Sequence, residues 1–284
     1  MTLTGPIAVT GATGGVGGRV ARRLAGAGTG LRLLARDPGR APELPGAEVA
    51  RASFHEPETV RAALRGAPAL FLVSASEDAD RVGLHTGVVD AALAAGVTRI
   101  VYLSFLDARP DSTFTFARDH FHTEEYVRGT GVAYTFLRDS LYQDVLPYFA
   151  GEDGVIRGPA GDGRFAPVAR DDIADVAAAV LRDPTGHEGH TYDLTGPAAL
   201  TMAEVAGELT RATGRPVSYH AETLDEAYAS RSRYGAPQWE VAGWVTSYAA
   251  IATGELDRVS SDVARLAGHP ATSFAEFLDR RRAT

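Results

Sequence analysis

The 284-residue chain contains no cysteine, and all 28 of its basic residues are arginine, so it has no lysine either. Without cysteine there is no disulfide framework, no thiolate nucleophile and no Cys-ligated zinc. Without lysine, Schiff-base chemistry and a Walker-type phosphate lysine are excluded. The formal charge is −8, and dispersed arginines on an acidic chain do not make the basic stripe that phosphate neutralisation needs, so no direct nucleic-acid contact is expected. No apolar run approaches the roughly 18 residues of a membrane span. The opening MTLTGPIAVTGATGG carries no basic flank followed by a signal-type apolar stretch, and a cytoplasmic protein with no membrane partner is expected. The histidines His85, His122, His187, His190, His220 and His269 show no ligand spacing such as HExxH, and no metal site is expected.

What is present is ordinary globular composition, 45% hydrophobic and 23% charged with 31 glycines, enough to bury a core without staples. Apolar runs read as strands at Pro6–Thr10, Leu31–Ala35, Ala47–Ala52, Ala69–Ser74, Arg99–Ser104 and Ala133–Arg138. Between them lie helical patterns beginning at Gly14 and near 57–65, 80–95 and 118–129. This alternation predicts an α/β fold: a Rossmann-type doubly wound parallel sheet with helices on both faces. Residues 151–170 read as Gly/Pro-rich loop with short strands, and Asp171–Arg182 as a helix stopped by Asp183-Pro184. His190–Leu194 reads as one more strand. From Thr201 the pattern is mainly helical, opened by a capping box with Glu204. The expected division is a dinucleotide-binding core over 1–138 joined by elements from about 171–196. Residues 139–170 and 197–284 are expected to form a smaller, mostly helical substrate-binding region.

Strand one runs into Gly11-Ala12-Thr13-Gly14-Gly15-Val16-Gly17, a G-x-x-G-x-x-G pattern. Gly11 permits the tight turn, Gly14 lets backbone approach a pyrophosphate, and Gly17 lets the helix close on the sheet. The helix start then offers free N–H groups and a positive dipole end to phosphate. At the end of strand two, where NAD-binding folds place an acid on the ribose 2′-OH, stand Arg36 and Asp37. An arginine there forks onto a 2′-phosphate, which favours NADP(H). The alternative is a solvated Arg36 with Asp37 on the ribose.

With these residues in view, the chain resembles the NmrA-like branch of the atypical short-chain dehydrogenase/reductases, and most of all the NADPH-dependent quinone oxidoreductases of that branch. The segments that carry the resemblance are TGATGG, LARDP, SASE at 74–77, AAGVTRIVYLS at 94–104, DHFHTE at 119–124, GVAYTFLR at 131–138, AGDGRF at 160–165, GHEGHTYDLTG at 186–196 and LAGHP at 266–270. The wider superfamily carries Tyr-x-x-x-Lys, whereas the comparable stretch here is Phe116-x-x-x-His120. Phenol and ammonium are both missing. The resemblance places His120 on the nicotinamide side, and Ser53-Phe54 stands where relatives often have an Asp contacting adenine.

A quinone or similar electron-poor enone accepts hydride without a strong built-in acid, so such a site works chiefly by positioning and by excluding water. His120 is the natural proton source. Ser104, after strand five, is a candidate to hydrogen-bond a carbonyl. Ser74 and Ser76, after strand four, are candidates for the nicotinamide ribose and phosphate. Phe105, Phe114 and Tyr142 are candidate walls of an aromatic slot, closed by the loop that starts at Pro159 and Ala160. Two other readings stand beside this one: a sensor that binds NADP(H) without turnover, and a tailoring enzyme for aromatic quinone natural products. The oligomeric state is left open.

Overall fold

The computed structural model describes residues 5–183 and 185–282. In chain order the elements are β1 (Ile7–Val9), α1 (Gly17–Gly26), β2 (Leu31–Ala35), β3 (Ala47–Arg51), α2 (Pro57–Leu64), β4 (Ala69–Val73), α3 (Arg81–Ala94), β5 (Arg99–Phe105), α4 (Thr115–Gly129) and β6 (Ala133–Asp139). They are followed by β7 (Val155–Gly158), β8 (Arg164–Phe165), α5 (Arg170–Arg182), β9 (His190–Leu194), β10 (Leu200–Thr201), α6 (Met202–Thr213), β11 (Ser218–Ala221), α7 (Leu224–Ser232), α8 (Gln238–Ala252), α9 (Asp262–Ala267) and α10 (Phe274–Arg282). The stop expected at Asp183-Pro184 falls partly outside the described residues, since Pro184 is not among them.

Seven strands form one sheet in the order β3-β2-β1-β4-β5-β6-β9. The order reverses between β1 and β4, which pair in parallel with Ile7 opposite Ala69 and Val9 opposite Phe71. This is the doubly wound Rossmann-type arrangement the alternation predicts. Side chains alternate across each strand, so the central strands feed two cores. Ala8, Leu34, Leu70, Leu72, Ile100, Tyr102 and Phe136 are buried together with Val60 and Leu64 of α2, Val88 and Val89 of α3, and Val127 of α4. The alternate residues Ile7, Val9, Leu33, Phe71 and Val101 are equally buried. Helix α1 packs on α5, where Arg23 donates to Asp175 at 2.6 Å and to Asp171 at 2.9 Å.

The chain divides into two compact units. One comprises residues up to Ser104, His120–Arg138 and Arg170–Tyr192. The other comprises Phe105–Asp119, Asp139–Ala169 and Asp193 onward. The second has its own core, built on Phe165, Met202, Val205, Leu209, Ile251 and Phe274. Its helix α6 starts as expected, with Glu204 N–H donating to Thr201 Oγ1 at 3.1 Å and Thr201 N–H to Glu204 Oε2 at 2.8 Å. One element in the region read as helical is a strand: β11 pairs in parallel with β7. It is short and mostly exposed, so its pairing is supplied by β7 and not by a hydrophobic alternation of its own. Among the described residues no helix is long and apolar enough to cross a membrane.

Candidate active site

The first unit presents its glycine loop at the β1–β4 switch point, where open α/β sheets bind ligands. Gly11 adopts φ +60°, a left-handed conformation that costs glycine nothing, and its carbonyl accepts from Gly14 N–H at 2.8 Å. A Cβ on Gly17 would collide with the backbone carbonyls of Gly11 and Thr10, so only glycine lets α1 begin this close to the strand. Ala12, Val16 and Gly17 are buried, whereas Thr13, Gly14 and Gly15 are exposed. Helix α1 has no side-chain cap and no acid in its first turn, which leaves its amino-terminal N–H groups and dipole for an anion. The loop fits a dinucleotide pyrophosphate on all three counts. Thr10 ties the floor together: its Oγ1 accepts from Val73 N–H at 2.8 Å and donates to the Phe71 carbonyl at 3.2 Å.

At the end of β2 the two candidate groups differ in what the fold asks of them. Asp37 Oδ1 accepts from Gly39 N–H at 3.0 Å, capping a short helical turn at Pro38–Arg40. Arg36 is exposed and makes no side-chain bond to any described residue, and the same is true of Arg40, which sequence reasoning passed over. Thr13, Ser74 and Ser76 likewise keep their hydroxyls unspent. Phe54 is half-buried against the core of the first unit.

Between Ser74 and Ser76 the backbone is clamped. Ala75 N–H donates to His85 Nε2 at 2.9 Å, and Arg81 Nε donates to the Ala75 carbonyl at 3.1 Å. The first bond makes His85 Nε2 an acceptor, so its proton sits on Nδ1 and goes to Thr123 Oγ1 at 2.8 Å. Arg81 Nη2 donates to His120 Nε2 at 3.1 Å, which fixes the His120 proton on Nδ1, facing the Tyr102 hydroxyl at 2.9 Å. Both rings are buried and neutral. Burial, aided by the nearby Arg81 guanidinium, drops His85 to about 3. Burial, with Arg81, His85 and Arg138 adding to it, holds His120 well below the ordinary imidazole range. The expectation of a histidine poised near neutrality is corrected here: His120 holds a neutral, tautomer-locked place in a network that grips Ala75.

Ser104 is also spent internally. Its hydroxyl, fully buried, donates to Glu124 Oε1 at 2.6 Å. The same carboxylate accepts from Arg138 Nε at 2.8 Å, Arg138 Nη2 at 2.6 Å and Arg128 Nη2 at 3.0 Å. A four-bond partnership around a buried acid leaves Ser104 no proton for a substrate carbonyl.

The remaining candidates lie in the second unit. Phe105 and Ala160 are core residues there, and Phe114 packs against the same cluster with its ring 5.0 Å from that of Phe105. Tyr142 is half-buried and donates to Asp139 Oδ2 at 2.7 Å. Pro159 is buried. Ala160 N–H donates to the Tyr219 hydroxyl at 3.0 Å, and that hydroxyl donates to the Gly158 carbonyl at 2.6 Å. The loop is thus pinned at its start, with Gly161 and Asp162 as its exposed tip.

Switch-point glycine cradle, uncapped helix and unspent ribose-side groups define a Rossmann-type dinucleotide-binding protein. Residues 11–184 match the family described as NAD(P)H-binding. Quinone oxidoreductase 2 of Escherichia coli K12 is 35% identical over 281 residues, covering 96% of this chain and 97% of that protein. The NAD(P)H azoreductase of Xenophilus azovorans is 36% identical over 276 residues, covering 95% and 96%. The crystal structure of the Escherichia coli NADPH-dependent quinone oxidoreductase complexed with NADPH superposes with a TM-score of 0.88 at 33% identity, over 97% of this chain and 99% of that one. The chain belongs to the NAD(P)H-binding family and is an NAD(P)H-dependent oxidoreductase.

Proposed function

We propose that the protein uses NADP(H) to reduce a quinone or a similarly electron-poor conjugated carbonyl. The observation that carries the cofactor half is the division of labour at β2: Asp37 is committed to a backbone cap while Arg36 is left without an internal partner. That arrangement favours a 2′-phosphate over a bare ribose, with Arg40 as a second cation in reach of the same turn. The acceptor half draws on the two relatives, whose names attach them to quinone and azo compounds.

In this reading the backbone of Gly11, Ala12, Thr13, Gly14, Gly15, Val16 and Gly17 holds the pyrophosphate. Ser74 and Ser76 take the ribose beside the nicotinamide, on a backbone kept in place by His85 and Arg81, and Phe54 flanks the adenine end. The reduced cofactor, when bound, supplies the hydride. His120 positions and does not donate, so the delocalised product anion takes its proton from water. Phe114 and Tyr142 are the half-buried aromatic groups offered to a planar acceptor, supported from behind by Phe105, Pro159 and Ala160.

Isothermal titration is expected to give tighter binding of NADPH than of NADH, and Arg36→Ala to cut that preference by about 1–3 kcal/mol, the scale of a lost charge-assisted contact. Equal affinities in the unaltered protein would sink the NADP(H) assignment. Stopped-flow absorbance of the reduced nicotinamide band should fall on adding naphthoquinones. His120→Ala should keep measurable turnover, with a loss near or below the low end of the roughly 10²–10⁴-fold typical of removing a general acid. A flat trace with every quinone and enone would instead favour a sensor that binds NADP(H) without turnover.

A further inference from the structure

Gly15 falls outside the G-x-x-G-x-x-G spacing, and it is not among the glycines with positive φ. Its reason for having no side chain lies in another element. A Cβ on Gly15 would stand 3.0 Å from Arg170 Nη1 and 3.1 Å from Arg170 Cδ and Cζ, so the guanidinium rests on the loop where a side chain would otherwise project. Gly15 is exposed and Arg170 half-buried. The glycine gives the arginine a seat at the surface of the cradle.

That seat follows from the way α1 and α5 pack. Gly15 meets Arg170, Arg19 Nε stands 3.3 Å from Asp171 Oδ1, and Arg23 donates to Asp171 at 2.9 Å and to Asp175 at 2.6 Å. The contacts advance along both helices together, so the two run the same way and their amino termini lie side by side. Arg19 also donates from Nη1 to the Gly15 carbonyl at 2.6 Å, which ties the loop into the same network.

Arg170, the first residue of α5, therefore stands at two positive dipole ends at once. A cation is disfavoured at one helix amino terminus, and here a second, without a side-chain cap, lies beside it. Asp171 follows Arg170 in the chain, but its carboxylate is drawn across to Arg19 and Arg23. An anion at the loop turns these repulsions into attractions: it meets two dipole ends and a guanidinium whose fork suits paired phosphate oxygens. In a chain with no lysine, arginine is the residue left to supply such a charge.

We propose, resting on the NADP(H) reading of the loop, that Arg170 is a cofactor ligand: seated on Gly15, its guanidinium meets the pyrophosphate of the bound dinucleotide. Helix α5 thus contributes a charge that the glycine motif itself does not contain.

Isothermal titration with NADPH, NADH and adenosine 2′-monophosphate tests the role without turnover. The first two carry the pyrophosphate and the third does not. Arg170→Ala is expected to weaken NADPH and NADH by the same factor, about ten- to hundredfold, and to leave adenosine 2′-monophosphate within about twofold. Arg170→Lys keeps the charge without the fork and should recover part of the loss. Gly15→Ala presses a methyl on the guanidinium, and should cost about fivefold in the unaltered chain and less than about twofold once Arg170 is replaced by alanine. The NADP(H) assignment is read from the ratio of the two dinucleotides and the Arg170 role from their common factor, so each can fail without the other. Dinucleotide affinities unmoved by Arg170→Ala overturn the role, as does an equal weakening of all three ligands with a lowered unfolding midpoint. An equal cost of Gly15→Ala in both backgrounds overturns the seat. A chain that binds neither dinucleotide removes the cofactor reading, and the Arg170 role with it.

Discussion

Acidification from pH 7 to pH 5 is expected to cost the protein about 2 kcal/mol of folding stability through the buried His85 imidazole alone, with His120 adding in the same direction. His85 and His120 are neutral in the fold, with their protonation held down by burial and by Arg81. In the unfolded chain each titrates near 6.5. Below that value the unfolded state binds protons that the native state refuses, so stability falls by about 1.4 kcal/mol per pH unit for His85, and His120 steepens the fall. The contribution is complete above pH 6.5 and drains away as pH drops towards 3, where His85 itself takes a proton. Urea denaturation at pH 7, 6 and 5 measures the slope. Nitrogen-15 NMR of the rings checks its origin: at pH 5.5 His85 and His120 should both still show an unprotonated Nε2. A ring titrating near 6.5 in the native protein would remove the basis of the slope. Because His85 and Arg81 hold Ala75 and His120 meets Arg81, loss of NADPH affinity should accompany the first acid-induced change in the spectrum.

Glu124→Ala is expected to destabilise the protein by about 3–5 kcal/mol, the cost of stripping one partner from a buried ion pair. The carboxylate has no solvent exposure and is shared by Arg138, Arg128 and Ser104. Its removal strips this carboxylate from the Arg138 guanidinium, itself only 19% exposed, and takes the acceptor of the Ser104 hydroxyl. Ser104→Ala removes a single neutral donor and should cost about 1 kcal/mol. The neighbouring Glu125 is half-exposed and pairs with Arg128 at the surface, so Glu125→Ala should shift stability by less than about 1 kcal/mol. Chemical denaturation of the three variants orders them; a Glu124→Ala cost no larger than that of Glu125→Ala would mean the pair is not a structural anchor.

The first unit was legible because its signals are local and redundant. Val16, Val20 and Leu24 mark one face of α1, Gly11 and Gly17 mark its junction with β1, and β1, β2, β4, β5 and β6 coincide with apolar runs. The second unit was less so. The strand β11 has an exposed, irregular pattern, and α4 begins at Thr115, three residues before its helical periodicity becomes clear. Site residues divide along the same line. A glycine that must have no side chain announces itself in sequence. Whether a serine or histidine is spent depends on what lies across the fold: Ser104 looked available until Glu124 was found beneath it, and His120 looked titratable until Arg81 and Tyr102 were seen around it. Asp37 and Arg36 were separable only once Gly39 claimed the carboxylate. The grouping of the rings of Phe149 and Tyr234 with the α8 pair Trp244 and Tyr248 had no signal, because three separate segments supply them.

The capping box that opens α6 recurs in the second unit. Thr223 and Glu226 exchange the same two bonds at the start of α7, and Ser273 and Glu276 do so at the start of α10. Each of these helices therefore carries its own start instruction within four residues and does not borrow it from a neighbour. The parallel sheet is the opposite case, since β1 takes its register from partners elsewhere in the chain, β2 on one side and the distant β4 on the other. The two units thus bear different burdens in evolution. A residue gained or lost in a connection before α6, α7 or α10 leaves the helix beginning at the same chemical mark, so these helices of the second unit can be re-spaced one at a time. The dinucleotide half has no such freedom: inserting one residue between Gly11 and Gly17 moves every later contact of the loop at once.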